Sequence, residues 1–367
     1  TPLPPASDLV QLSNAKAHLY KQILVSLRLN PLQQNIKVQI REQLDYATIL
    51  FNKGLHRQSL KILEKAKALA LHNFENNLAY EIIELEKVIE SQYITRSLET
   101  RADDLIRESI LLSKKSVLLS KLSNLSLQLY SYMLKKGYVK NEEELAFIQV
   151  SFERNIPKYD PDKLDFKERL FLNKAYLWYS FIIQDFIGSY RYSRKWVDLF
   201  HEHPEMKKVN PVFYLKGINY LLESLFILQH ITKFREVINR FKKEIDKKQL
   251  TINDNTASLA SLIYYQNRIN LYFLEGQFTA GLSIIPEVLK EIDLYKSKFD
   301  EHHIMILYYK IASMYFGAGN YDQCIFYLNK IIEVRELNMR EDLLCFSRIL
   351  SLIAHYEAGY DQNLEEQ

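Results

Sequence analysis

From Leu32 to Ile156 the chain contains no proline, a run of 125 residues. Proline has a fixed φ and no N–H, so it collects at turns, element starts and edges. A run this long without it fits long helices and few connections. Glycine is equally scarce: there are 9 Gly and 9 Pro in 367 residues, where average usage of about 12% would give roughly 44. A chain so poor in turn residues cannot build a β-sandwich, a β-barrel or a glycine-looped nucleotide fold. An all-α fold is expected. At about 150 residues per domain, the length allows two ordinary domains or one elongated one.

Bulk chemistry excludes several function classes. The net charge is +3 and the pI about 8.5, far from the bias of a dedicated nucleic-acid binder. Cys324 and Cys345 are the only cysteines, too few for a disulfide framework or a zinc site. No apolar run approaches the roughly 18 residues that span a bilayer, and the first residues lack a signal-peptide pattern. The expectation is a cytoplasmic chain without membrane insertion.

Apolar residues recur at helical spacing: Ile62, Ala66 and Leu69 in one segment, Ile82, Ile83, Val88 and Ile89 in another. Two seven-residue stripes, Leu98-Leu105-Leu112-Leu119 and Leu111-Leu118-Leu125-Tyr132, form one broad face, wider than a coiled-coil seam. A unit of glycine, any residue, aromatic and a small residue three later recurs at Gly276-Gln277-Phe278, Gly319-Asn320-Tyr321 and, after one gap, Gly359-Tyr360. Glycine ends a helix in the left-handed conformation. The aromatic then opens the next helix and the small residue lets the two approach. Extending the search gives a ladder of His56, Leu98, Tyr138, Phe186, Phe234, Phe278, Tyr321 and Tyr360, with a period of about 43 residues. Ser59, Ser189, Gly281 and Cys324 fill the small slot.

Tyr308, Ile311, Ala312, Tyr315, Gly319, Tyr321, Cys324, Leu328 and Ile331 resemble the tetratricopeptide-repeat superfamily in spacing; Gly54, Ser59, Leu63 and Ala66 match more loosely. That family repeats every 34 residues, so helices here are expected to be longer. HEAT-type repeats have the right length but do not account for the glycine–aromatic–small unit. The resemblance implies a right-handed α–α superhelix, a solenoid of antiparallel helix hairpins. Residues 1–156 would form an N-terminal half with degenerate repeats and residues 157–367 the C-terminal repeats, the Pro157–Pro161 segment lying between them. Ser7 to Leu29 reads as one amphipathic helix, the second of a hairpin whose first is missing. The C-terminus stops before a second helix could follow Tyr360. Uncapped ends imply that native sequence is missing or that an end self-associates.

No motif carries chemistry. His201-Glu202-His203 lacks a third ligand, and His302-His303 follows two acids at a helix start. Asp103-Asp104 and Glu142-Glu143-Glu144 suit helix N-termini. Cys324 and Cys345 read as packing residues. The basic–aromatic segment Ser189 to Trp196 could stack bases but reads better as a helix with buried rings and solvated cations. Pro286 should kink a second helix.

In the resembling family, the first helix of each hairpin lines the ligand groove. Carried over, that face comprises Lys174, Trp178, Phe181, Glu223, Phe226, Gln266, Asn267, Asn270, Phe273, Tyr309, Lys310 and Ser313. The family's carboxylate-clamping variant needs Lys and Asn one hairpin earlier. Leu222 and Phe226 stand there, so no clamp is expected. The sequence therefore predicts a non-enzymatic protein- or peptide-binding scaffold without cofactor or metal. A peptide-responsive regulatory sensor and an RNA-binding helical-repeat protein are the alternatives, with nucleic acid the less favoured partner.

Overall fold

Six turns of one design organise the chain. A computed structural model describes residues 6–28, 35–92, 100–248, 250, 253–333 and 341–359. Among the described residues every regular element is a helix. These are α1 (Ala6–Arg28), α2 (Ile36–Asn52), α3 (His56–His72), α4 (Asn76–Gln92), α5 (Arg101–Lys136), α6 (Glu142–Asn155), α7 (Phe166–Ile182), α8 (Phe186–Glu202), the short α9 (Met206–Val209), α10 (Pro211–Ile227), α11 (Ile231–Asp246), α12 (Asp254–Glu275), α13 (Phe278–Gly281), α14 (Ile285–Tyr295), α15 (Glu301–Gly317), α16 (Tyr321–Ile332) and α17 (Glu341–Glu357). No helix among the described residues is long and apolar enough to cross a membrane. Leu98 and Tyr360 of the repeat ladder lie outside the described residues, as do Leu29, Asn30 and Pro31.

At each turn one residue is left-handed: Gly54, Phe74, Gln184, Gln229, Gly276 or Gly319, all with φ between 52° and 75°. The amide that follows donates to the carbonyl five residues back, as Asn320 does to Tyr315 (2.9 Å) and His230 to Leu225 (3.0 Å). The left-handed amide itself donates three residues back. This pair of bonds satisfies carbonyls that the helix end would otherwise leave unpaired. The next helix begins two residues after the left-handed position, at His56, Asn76, Phe186, Ile231, Phe278 and Tyr321. Four ladder anchors therefore open second helices. Phe234 does not; it lies three residues inside α11, and Ile231 is the true opener.

That slip has a cause. Left-handed backbone costs a side chain about 1–2 kcal/mol, so glycine marks such turns in sequence, but Gln229 holds the position here without it. Phe234 consequently occupies the slot filled elsewhere by Ser59, Ser189, Gly281 and Cys324, and all five are buried. Gln229 is exposed, so Gln229→Gly should remove the backbone strain at no packing cost. Thermal unfolding should show a gain of about 0.5–1 kcal/mol; a loss would mean that the turn is not strained.

The chain divides into two compact units. The N-terminal unit comprises residues 1–122 and 157–168. Its core joins Ile40 and Ala47 of α2, Leu63 and Ala66 of α3, Ile82, Ile83 and Ile89 of α4, and Leu105 and Leu112 of α5. Ser59 Oγ donates to Ala47 O at 2.8 Å, tying α3 to α2 in the small slot. The Phe74 ring stacks on Phe166 at 5.6 Å. Of the expected stripes, the Leu105–Leu112 edge is buried, whereas Leu111 and Val88 are exposed. The apolar residues of α1 from Leu12 to Leu27 are exposed too.

The C-terminal unit comprises residues 123–156 and 169–367. Chain-neighbour helices pack together: α8 with α10, α10 with α11 and α12, α12 with α15, and α15 with α16. Pro211 sits at the start of α10, where its missing N–H costs nothing. Asn253 and Thr256 form a reciprocal capping box at α12, each side chain accepting from the other's backbone amide (3.0 and 3.1 Å). Pro286 acts as expected. The second helix of its hairpin breaks into α13, a 3₁₀ turn at Leu282–Ile284, and α14 with Pro286 in its first turn. Gly281 lies where an added Cβ would come within 2.5 Å of Met314 Sδ, so α13 and α15 approach through a missing side chain. The core here includes Ile269, Ile285, Val288, Ile311, Ala312, Cys324 and Leu328.

Candidate functional site

The polar residues of the first helices join into a hydrogen-bonded row. Asn267 of α12 donates through Nδ2 to Asn219 Oδ1 of α10 at 3.1 Å and to Ile263 O at 2.8 Å. Asn270 Nδ2 donates to Asn267 Oδ1 at 3.3 Å. Lys310 Nζ of α15 donates to Asn270 Oδ1 at 2.5 Å. Three helices of successive hairpins are thus bridged by side chains one repeat apart. Asn267 and Asn270 are buried and Lys310 half-buried. Buried amides demand partners, and the row supplies them while leaving Lys310 two further N–H donors.

Glu223 lies one turn beyond Asn219 on α10, on the same helical face. It is exposed and, among the described residues, makes neither a hydrogen bond nor an ion pair. Protein around it thins the water near its carboxyl and pushes the group up to about 7, with the Lys310 charge pulling the other way. Lys310 shows the mirror effect: burial pushes its ammonium down to about 8, opposed by Glu223. No ion pair joins the two. Groups displaced in this way collect at functional sites.

An aromatic cluster adjoins Glu223. The rings of Trp178 (α7) and Tyr220 (α10) meet edge-to-face at 5.2 Å, and Tyr130 (α5) lies 4.9 Å from Trp178. Burial first, then the Glu223 charge, raises the hydroxyls of Tyr220 and Tyr138 above the ordinary tyrosine range. Lys174 sits 5.6 Å over the Phe171 ring, and burial followed by the Lys216 charge lowers its ammonium.

The twelve expected groove residues fall into two sets. Asn267, Asn270, Lys310 and Glu223 share the row and its margin, and Trp178 lies in the cluster beside it. Phe181 is buried. Phe273 meets Phe278 at 5.9 Å, and both Phe273 and Tyr309 pack on the core. Ser313 Oγ donates to Tyr309 O within its own helix at 2.9 Å. Gln266 and Phe226 are half-buried. Spacing alone missed Asn219, Tyr130, Tyr138 and Tyr220. A signal for Asn219 existed: it stands 48 residues before Asn267, one repeat away.

The other sequence features are occupied by neighbours. Glu202 pairs with Arg169 at 2.8 Å, His201 with Asp198 at 3.6 Å and His203 with Glu205 at 3.4 Å. Among the described residues no cluster of His, Cys, Asp and Glu could hold a metal. In the basic–aromatic segment Arg194 pairs with Asp198 at 3.6 Å, and Tyr192 stacks on Tyr176 at 4.7 Å. Cys324 is buried as expected, and its thiol is pushed up to about 12 by burial. Cys345 is exposed on α17, which overturns its packing assignment; its side of the helix carries Phe346, Ile349 and Ile353, also exposed. A separate cleft of about 680 Å³ in the N-terminal unit lies between α5 and residues 157–164, with Lys114, Lys121 and Lys158 among its lining.

No family model matches the chain, and no curated protein matches it in sequence.

Proposed function

We propose that the chain is a non-enzymatic tetratricopeptide-like solenoid that binds a peptide or an extended protein segment along the first helices of its C-terminal hairpins. The row Asn219–Asn267–Asn270–Lys310 carries this reading. Asn267 and Asn270 are buried and spend their amide groups within the row. A ligand is therefore offered the half-buried Asn219 amide and the two remaining donors of Lys310, which suit the acceptors and donors of a peptide backbone. Set one repeat apart on successive hairpins, the residues of the row suit a ligand that is itself a repeating polymer. The residues of the row make no nucleophile–base pair and lie on no catalytic trio. Pairing of the Arg194 and Glu202 region within the protein favours peptide over RNA, which would need free cations beside open rings.

The reading is tested by selecting a displayed random-peptide library on the immobilised full chain. Enriched peptides are expected to bind the wild type and to weaken by about tenfold or more on Lys310→Gln and on Asn219→Ala. Both variants should retain the wild-type circular dichroism spectrum, since neither side chain is fully buried. Absence of enrichment, or equal binding to the variants, would sink the proposal. Replacing Phe273 would test folding rather than binding, because that ring packs on Phe278.

A further inference from the structure

Glu223 is a carboxylate that has no hydrogen-bond or ion-pair partner among the described residues, and it stands beside a set of aromatic rings. Tyr220 precedes it by three residues on α10, so the two side chains are neighbours on one helical face. The Tyr220 ring abuts Trp178 at 5.2 Å, and Trp178 abuts Tyr130 at 4.9 Å. Tyr138 lies close enough to feel the Glu223 charge. Trp178 is 8% exposed and forms a floor; Tyr130 and Tyr138 are 37% and 40% exposed and stand in solvent. Aromatic faces attract cations through the ring quadrupole, and a carboxylate flanked by apolar rings gains more from a cation than one in bulk water. The cation nearest in influence, Lys310, is turned to Asn270 and does not reach Glu223.

We infer that Glu223, with Tyr130, Tyr138, Trp178 and Tyr220, receives the guanidinium or ammonium of a basic side chain, so that the ligand of this face is an Arg- or Lys-bearing peptide. The inference rests on the peptide-binding reading above and specifies its ligand. The cation docks against the carboxylate and the tyrosine faces, while the half-buried Asn219 and Lys310 hold the adjoining backbone.

The charges facing the site fix the sign of its pH response. From α10 there are Glu223 and Tyr220, from the end of α5 and the turn after it Tyr130 and Tyr138, and from α15 Lys310. Burial and the Glu223 charge raise the Tyr138 and Tyr220 hydroxyls, so neither gains charge between pH 6 and pH 8. Glu223 ionises through about 7 and Lys310 discharges above about 8. Both changes add net negative charge as pH rises, so cation affinity must rise from pH 6 to pH 8.

The experiment is a ligand-observed NMR titration of the full chain with acetyl-Gly-Arg-Gly-amide and acetyl-Gly-Lys-Gly-amide. Their neutral counterparts carry citrulline and Nε-acetyl-lysine. The charged peptides are expected to bind about tenfold tighter than the neutral ones at pH 8 and to lose most of that preference at pH 6. Glu223→Gln should abolish the preference while the chain melts at or above the wild-type temperature. Tyr138→Leu, at an exposed position, should weaken the charged peptides alone. Equal binding of charged and neutral peptides, or a preference that survives Glu223→Gln, overturns the inference. The display selection separates the two claims: enriched peptides without Arg or Lys fail this inference and leave the peptide-binding reading standing. A failed selection with a charge-selective titration does the reverse.

Discussion

Lys67→Ala will destabilise the N-terminal unit by about 3–5 kcal/mol, the cost of stranding a buried charge. Lys67 reaches from α3 to Glu86 of α4 at 2.8 Å and to Glu108 of α5 at 2.9 Å. It is 9% exposed and Glu86 only 1%. Without the ammonium, Glu86 keeps Arg101 at 3.3 Å as its remaining cation, which places the loss toward the lower end of the range. The pair is not itself a source of great stability, because both charges had to leave water. The double change Lys67→Met with Glu86→Leu should therefore recover most of the loss. Urea unfolding of the two variants decides the matter. A single-variant loss below about 1 kcal/mol, or a double variant as weak as the single, would show that Glu86 is not stranded.

In the C-terminal unit the largest effect is expected at Gly217. A Cβ there would lie 2.9 Å from Cδ1 and Nε1 of Trp196, and Trp196 is fully buried between α8 and α10. The indole cannot withdraw, because Phe200, Tyr214 and Leu215 are as buried as it is. Gly217→Val must force the helices apart or push the ring off its rotamer, at about 2–3 kcal/mol. Trp196→Phe in the same chain frees space at the point of collision and should restore part of the loss. Melting temperature and near-ultraviolet circular dichroism report both steps. An unchanged melting temperature for Gly217→Val would mean that the α8–α10 contact yields without cost.

The hairpins were legible where the turn carried glycine; of the three turns without it, only the one before Phe186 was placed. Gly276 and Gly319 announced their turns, since left-handed backbone favours glycine. Phe74, Gln184 and Gln229 hold the same conformation and give no such sign. Phe74 is retained by its stack on Phe166, an interaction between residues distant in sequence. The α3–α4 hairpin went unmarked for this reason, and the α11 register slipped by one helical turn. In the candidate site, Asn267, Asn270 and Lys310 were named because the expected period puts them on equivalent faces of successive first helices, and the structure joins the three by hydrogen bonds. The same spacing chose Phe273 and Phe181, which face the core, because the apolar and polar sides of a first helix adjoin within one turn. Tyr130 could not be found that way, since it comes from α5, outside the regular hairpins, and Tyr138 was placed on the ladder as a helix opener although α6 starts only at Glu142. Glu223 was named from spacing, but a lone acid in sequence gives no hint of whether it has a partner among its neighbours in the fold.

Each of the six turns is closed by two hydrogen bonds spanning at most six residues, and the helices it joins meet mainly their chain neighbours. The consequence concerns how the molecule forms. Little loop entropy must be surrendered before a hairpin is rewarded with contacts. If the hairpins stack as the proposed solenoid, assembly can start at any of them and spread to the next, with no single obligatory early nucleus. A lesion in one hairpin then delays its neighbours' docking while leaving their own closure intact.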